Sequence, residues 1–319
     1  MLDISIIIPV KPGGAVQALG RLHELDYPPS RLEVLVAEGC QPSRQRNLAA
    51  RQAVGDILYF LDDDSLVERD SLRRLAQHYE DPAIVAVGGP SLTPASDSPL
   101  QRAIGAVLAS PIGGVRNRYR RHGKVRKTDD SELILCNLSF RREDFLASGG
   151  LDERLYPNEE NELLARLQEE GRILLHDPDL AIHRSQRPTL RLFLRQFFTY
   201  GRGRAEQTLL SGKIKPITYI PAVFDLYLLV CLAFPSKLSL LPLACYGTIV
   251  SGVALALGLR AREFGLGLRA LLLIPLLHSV YGAGLVLGML SPRYRSPARS
   301  NASVEVRRVK TLGTPWPLS

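Results

Sequence analysis

The sequence predicts an α/β domain built on a mostly parallel sheet with helices on both faces, followed by C-terminal transmembrane helices. Three observations carry that expectation. Short apolar runs alternate with helical patterns from residue 4 to residue 87. Three long apolar runs follow after residue 216. Within the first stretch lies one run, Ile57-Leu58-Tyr59-Phe60-Leu61, too short for a helix and rich in strand formers, that leads into Asp62, Asp63 and Asp64. Strands alternating with helices place ligands at the carboxyl ends of the strands, where these acids stand.

Taken in order, residues 4–8 form an apolar run ended by Pro9 and the loop Lys11-Pro12-Gly13-Gly14, the pattern of a buried strand. A helix is expected over 15–25, with Leu19, Leu22 and Leu25 on one face, stopped by Tyr27-Pro28-Pro29 before a strand at 32–37. Ser43 is the expected cap of a helix over 44–54, and the strand 57–61 follows Gly55. A helix over 70–79 and a strand at 84–87 repeat the unit. Beyond Gly88-Gly89-Pro90 the regularity lapses, and 116–127 gathers Arg118, Arg120, Arg121, Lys124 and Arg126, either as a solvated face or as a contact for phosphates. A strand over 133–140, a short helix over 142–148 ended by Gly149-Gly150, and a helix over 159–170 follow. That last helix opens on Glu159, Glu160 and Glu162, acids that also suit a helix dipole.

Lys and Arg exceed Asp and Glu by eight, a balance that suits phosphates or anionic lipid. No nucleic-acid-binding motif accompanies the charge, so no nucleic acid partner is expected. The four cysteines, Cys40, Cys136, Cys231 and Cys245, lack metal-ligand spacing, which argues against a zinc site or a disulfide framework. Met1 leads straight into the first apolar run without the features of a signal peptide, so the first domain is expected in the cytoplasm.

The runs 217–234, 238–259 and 266–290 have spanning or near-spanning length. The first is short and contains Asp225, so it can lie in the interface, while Arg269 near one end of the third can snorkel. The segment 189–210 sets Leu190, Phe193, Leu194, Phe197 and Phe198 among Arg191, Arg195, Arg202 and Arg204, a basic amphipathic helix suited to a bilayer surface. The tail carries Arg293, Arg295, Arg299, Arg307, Arg308 and Lys310 against Glu305, which favours two full spans with both ends inside over three. The expected organisation is a catalytic domain over 1–212, a membrane domain over 213–292 and a basic tail over 293–319.

Carboxylates at a strand end often hold a hard cation such as Mn²⁺ or Mg²⁺ that shares its shell with a substrate's phosphates, a role open to Asp62 and Asp64. The alternative is that Asp63, Asp64 and Ser65 cap the next helix. Several segments, in order, resemble a family 2 glycosyltransferase of GT-A fold, particularly the membrane-anchored bacterial enzymes that build exopolysaccharides. These are Ile6-Ile7-Ile8-Pro9-Val10; Arg46-Asn47 with Ala53-Val54-Gly55-Asp56; Phe60-Leu61-Asp62-Asp63-Asp64; Gly149-Gly150-Leu151-Asp152-Glu153 with Asn158-Glu159-Glu160-Asn161-Glu162-Leu163; and His183 after Asp177-Pro178. The likeness spans roughly residues 3–210.

The resemblance implies an inverting hexosyltransferase of the cell inner membrane, with its catalytic domain cytoplasmic, that moves a sugar from a nucleotide-diphosphate donor to a lipid-linked glycan. It implies Asp62, Asp64 and His183 as metal ligands, the pair Glu159-Glu160 as the site of the catalytic base with Glu160 preferred, and Pro9, Glu38, Arg46, Asp62, Gln196, Tyr200 and Arg202 as donor contacts. The chemistry agrees, since displacing a diphosphate needs a Lewis acid and a base on the opposite face. Two departures stand out. The second strand ends in one acid, Glu38, where the family commonly has aspartates, and Gln196-Phe197-Phe198-Thr199-Tyr200 carries Thr199 where the family's Gln-x-x-Arg-Trp has arginine, leaving Arg202 or Arg204 to take that phosphate contact. The reading from another class is an inactive membrane-bound scaffold with a transferase fold, which would not need Asp62, Asp64, Glu160 and His183 together.

Overall fold

The strand at the centre of the sheet, β1 (Ile4–Val10), is buried along its whole length, because its neighbours pair on both edges and helices cover both faces. The computed structural model describes residues 1–114, 116–295 and 303–316; Arg299 and the side chain of Arg295 lie outside the described residues. The chain divides into two compact units, one of Met1–Leu92, Asn117–Arg184 and Pro297–Ser319, the other of Thr93–Arg116 and Ser185–Ser296. A cut at 212 does not follow this division.

In the first unit β1 is followed by α1 (Leu19–Leu22), β2 (Leu32–Glu38), α2 (Pro42–Gln52), β3 (Ile57–Leu61), β4 (Leu66–Val67), α3 (Ser71–His78), β5 (Ile84–Gly88) and β6 (Ser91–Leu92). The chain passes through α4 (Pro99–Leu108) of the second unit. It returns with β7 (Arg126–Lys127), β8 (Asn137–Arg141), α5 (Arg142–Ala147), α6 (Glu159–Glu169), β9 (Ile173–His176) and β10 (Ile182–His183). The main sheet has the order β11-β2-β1-β3-β8-β5-β9-β7, where β11 is Glu305–Lys310. β1 runs parallel to β2 and β3, but β8 is antiparallel to both β3 and β5, so the sheet is mixed rather than mostly parallel. A small sheet, β4-β10-β6, stands apart.

Side chains alternate across a strand, so one face of the sheet buries Ile4, Ile6, Ile8, Tyr59 and Leu61 and the other buries Ile7, Leu58, Phe60 and Phe140. Leu22 and Leu72 cover the first face; Ala49, Phe145 and Leu163 cover the second. The expected helix over 15–25 shrinks to one turn because the Ala18 N–H is spent on the Asp63 carbonyl, 2.9 Å away. Ser43 is not a cap: Pro42 takes the first helical position, and the Ser43 hydroxyl donates to the Leu155 carbonyl at 2.8 Å. The strand expected from 133 begins only at Asn137, whose N–H closes a turn on the Ile134 carbonyl at 2.9 Å.

β11 was not legible as a strand, yet it is bound tightly to the edge strand β2. Arg308 pairs with the buried Glu33 at 2.8 Å, and Glu33 also accepts from the Ser5 hydroxyl at 2.5 Å and the Val54 N–H at 3.0 Å. The Lys310 ammonium, 2 % exposed as a residue, donates to the Leu32 carbonyl at 2.9 Å and the Thr314 carbonyl at 3.0 Å.

The second unit holds α4, α7 (Leu190–Ser211), α8 (Ile220–Ala233), α9 (Lys237–Ala261) and α10 (Phe264–Leu290). Thr189 caps α7 through its side chain. The segments Pro216–Ala233, Lys237–Ala261 and Phe264–Leu290 are long and apolar enough to cross a membrane. α7 packs closely on α10 because glycine removes the side chain at each crossing point. A Cβ at Gly284 would meet the Phe198 carbonyl oxygen at 2.1 Å, and one at Gly201 would meet the Tyr281 carbonyl oxygen at 2.0 Å.

Candidate active site

β3 ends at Leu61, and the next four residues close a turn: the Ser65 N–H donates to the Asp62 carbonyl at 3.1 Å and the Asp62 N–H to the Ser65 hydroxyl oxygen at 3.1 Å. Ser65 is fully buried and its hydroxyl donates to the Cys136 carbonyl, so the turn is anchored from below. The chain then enters β4, and α3 starts only at Ser71; Asp62, Asp63 and Asp64 therefore cap no helix. Their carboxylates are left at the carboxyl end of the strand.

Two arginines neutralise them. Arg46 of α2 is buried and donates from Nη2 to Asp62 Oδ1 at 2.6 Å. Arg184, just after β10, reaches Asp62 Oδ2 with Nη2 at 3.0 Å and Asp64 Oδ1 with Nε at 2.6 Å. Asp63 is half-buried, and burial together with the charges of Asp64 and Asp62 raises its carboxyl above the ordinary range, against the opposing pull of Arg184. Arg46 also faces Glu159 Oε1 from Nη1 at 3.5 Å, so one guanidinium joins the end of β3 to the start of α6.

At that start Asn158 adopts a left-handed backbone, φ 81°, and Glu159 and Glu160 enter the helix buried rather than on its solvent face. A role confined to complementing the helix dipole would leave them in water. Burial, and then the neighbouring Glu160, raise the Glu159 carboxyl well above the usual carboxylate range, although Arg46 pulls the other way. Glu160 stands 3.6 Å from Arg118, which is itself held by the Ser131 carbonyl at 2.7 Å and the Asp130 carbonyl at 3.1 Å. Arg118 is thus no part of a solvated basic loop; it belongs to the site.

The two sequence segments Arg46-Asn47 and 149–153 meet directly. The Asn47 side chain donates to the Leu151 carbonyl at 2.8 Å and to Glu153 at 3.1 Å, and accepts from the Leu151 N–H at 2.9 Å. Gly150, φ 75°, admits this contact, since a Cβ there would sit 2.6 Å from the Asn47 amide oxygen. Glu38 ends β2 and accepts from the Gly13 N–H at 3.0 Å, and Pro9 lies beside Ala37 in the β1–β2 register.

The remaining expected site residues make contacts of their own. His183 turns to Glu68, 3.2 Å away, and among the described residues no group of three His, Cys, Asp or Glu side chains is placed to hold a metal ion. Gln196, Tyr200 and Arg202 belong to α7 in the second unit, where Gln196 donates to the Tyr200 hydroxyl at 2.8 Å and accepts from Arg187 at 3.0 Å. Arg202 donates to the Ser291 carbonyl at 2.6 Å. The residue sequence reasoning passed over is Arg184, whose only signal was a cationic side chain immediately after His183. Cys136, under the turn, has its thiol pushed up to about 12 by burial, and all four cysteines are free.

Residues 15–147 match the family model described as Glycosyl transferase family 2. Comparison with curated protein sequences gives no match. Among solved structures, the mannosyltransferase PcManGT from Pyrobaculum calidifontis in complex with GDP-Man and Mn2+ is similar at 17 % identity and a TM-score of 0.60, over 91 % of this chain and 88 % of that one. The S. aureus TarS 1-349 structure in complex with UDP-GlcNAc is 15 % identical over 91 % of each chain, with a TM-score of 0.47, too distant to add to the fold assignment. The matched segment runs from the loop after β1 to the end of α5 and so takes in Arg46, Asn47 and the Asp62–Asp64 turn: the chain carries a family 2 glycosyltransferase domain of GT-A fold.

Proposed function

We propose that this glycosyltransferase moves a sugar, with inversion at the anomeric carbon, from a nucleotide-diphosphate donor to a lipid-linked glycan in polysaccharide synthesis. The observation that carries this reading is the convergence of Asp62 and Asp64 on one cationic group at the end of β3, with Glu159 joined to the same cluster through Arg46. Two carboxylates that meet at a shared positive charge fit a hard divalent cation, Mn²⁺ or Mg²⁺, whose remaining oxygen ligands come from phosphate and water. Asp62 and Asp64 would hold it, with His183 of the adjacent small sheet as a further candidate. When bound, such a cation stabilises the charge of the departing diphosphate.

Glu160 takes the proton from the attacking acceptor hydroxyl, and Arg118 holds its carboxylate. Attack opposite the leaving group inverts the anomeric centre. Pro9 and Glu38, near the ends of β1 and β2, form the donor side with Arg46 of α2, and the resemblance assigns Gln196, Tyr200 and Arg202 to the donor as well. The long apolar helices support a membrane anchor, and the resemblance adds the inner membrane and a cytoplasmic catalytic unit.

The test is release of nucleoside diphosphate from a panel of nucleotide sugars in the presence of Mn²⁺. Asp64→Asn is expected to abolish turnover while leaving the fold intact, and Glu160→Gln to lose transfer yet keep donor binding. Full activity in Asp64→Asn rejects the metal assignment. Loss confined to Glu159→Gln moves the base one residue back.

A further inference from the structure

Arg184 stands where the proposed cation would act. Its backbone N–H donates to the Leu92 carbonyl at 2.9 Å, so the small sheet fixes its position, and its guanidinium takes one oxygen from each of Asp62 and Asp64. Both oxygens are engaged by one guanidinium, and a divalent ion bound by both carboxylates would draw on the same pair. A guanidinium and a divalent ion on the same two oxygens would stand in contact and repel, whereas each alone relieves the repulsion among three consecutive acids.

We propose that Arg184 is an exchangeable latch: it occupies the cation position of the Asp62–Asp64 pair until metal and donor arrive together, and then passes its guanidinium to the donor's diphosphate. The chemistry of arginine suits both partners, because its planar fork matches carboxylate and phosphate alike. Metal alone must strip Arg184 from the aspartates and leaves it without a counter-charge. Diphosphate alone meets the acids. Together each supplies what the other displaces, so metal and diphosphate bind cooperatively, and nucleotide-free enzyme resists loading with adventitious cations. Asp62 keeps its bond to Arg46 through Oδ1 in either state, so the pair is not left unsupported during exchange.

This inference rests on the metal reading of Asp62 and Asp64, and one set of titrations separates the two. Mn²⁺ binding to the full chain in detergent is followed by electron paramagnetic resonance, first with Mn²⁺ alone and then with inorganic pyrophosphate added. Arg184→Gln, neutral but still a hydrogen-bond donor, is expected to bind Mn²⁺ alone about fivefold or more tightly than wild type and to lose most of the tightening that pyrophosphate brings. Arg184→Lys, which keeps the charge without the fork, should fall between them; it provides the comparison should the glutamine variant fail to fold. If Asp64→Asn abolishes Mn²⁺ binding while both Arg184 variants titrate like wild type, the latch is wrong and the metal site stands. If Asp64→Asn binds Mn²⁺ like wild type, the metal site itself is wrong and the latch falls with it.

Discussion

Arg46 shows how a single buried cation can organise a site of acids. It touches both Asp62 and Glu159, which stand far apart in the sequence, and its neighbour Asn47 fixes the loop that leads to α6. The positive charge does not fully offset the cost of burying Glu159, whose carboxyl stays raised by burial and by Glu160. In the unfolded chain this carboxyl ionises in the ordinary range, about 4.3. The folded state therefore binds the extra proton between that value and the raised one, and stability falls as pH rises through the window. Glu159→Gln removes the penalty. Its thermal midpoint should match wild type near pH 4 and exceed it increasingly toward pH 8; a gain that is flat or shrinks with rising pH would contradict the raised carboxyl.

At the scale of elements, what could be read in advance was what a short window decides. The runs behind β1, β3 and β5 are apolar throughout, and a continuous apolar run that is too short for a helix has few other folds available. The Asp62–Asp64 turn and the acids opening α6 were legible because their residue types are unusual where they stand. What escaped was decided at a distance. α1 is short because Asp63 claims the Ala18 N–H, β8 starts late because a turn at Ile134 precedes it, and β9, β10 and β11 are strands only because a partner edge waits for them. β11 in particular is mostly charged, the composition of an edge strand protected against mispairing. The glycines of α10 were equally silent, since nothing in a window distinguishes one packed on a backbone from one facing lipid. Gly284→Val, which drives a side chain into the Phe198 carbonyl, should destabilise the α7–α10 pair by roughly 1–3 kcal/mol. Gly247→Ala in α9, where a Cβ meets nothing within 4 Å, should be neutral or mildly stabilising. Thermal midpoints in detergent compare them, and equal losses would mean that the glycine contact does not hold the helices together.

At the scale of the whole molecule, β11 constrains how the chain meets a membrane. It pairs with β2, so if the apolar helices cross a bilayer, the segments before and after them lie on one side and the number of crossings is even. Three apolar helices must then include one that does not cross, and the sequence pointed to 217–234 as that one. α10 is a second candidate, because it is the most deeply packed of the three. Glu263, in the turn between α9 and α10, pairs with Arg102 of α4 at 2.9 Å. The turn between α8 and α9 is closed where the Tyr227 hydroxyl donates to the Ser239 carbonyl at 2.5 Å, and the exposed Phe234 and Leu238 stand at its tip. With α8 and α9 as the crossing pair, Arg260 and Arg262 would return to the inside, as the positive-inside rule prefers. In sealed vesicles carrying single-cysteine variants, Ser303→Cys and Ala261→Cys should label from the same side as the native exposed Cys40, and Ser236→Cys only from the other. Labelling of Ala261→Cys from the side opposite Cys40 would restore α9 and α10 as the spans, and labelling of Ser303→Cys from that opposite side would mean that the β11–β2 pairing does not form in the membrane.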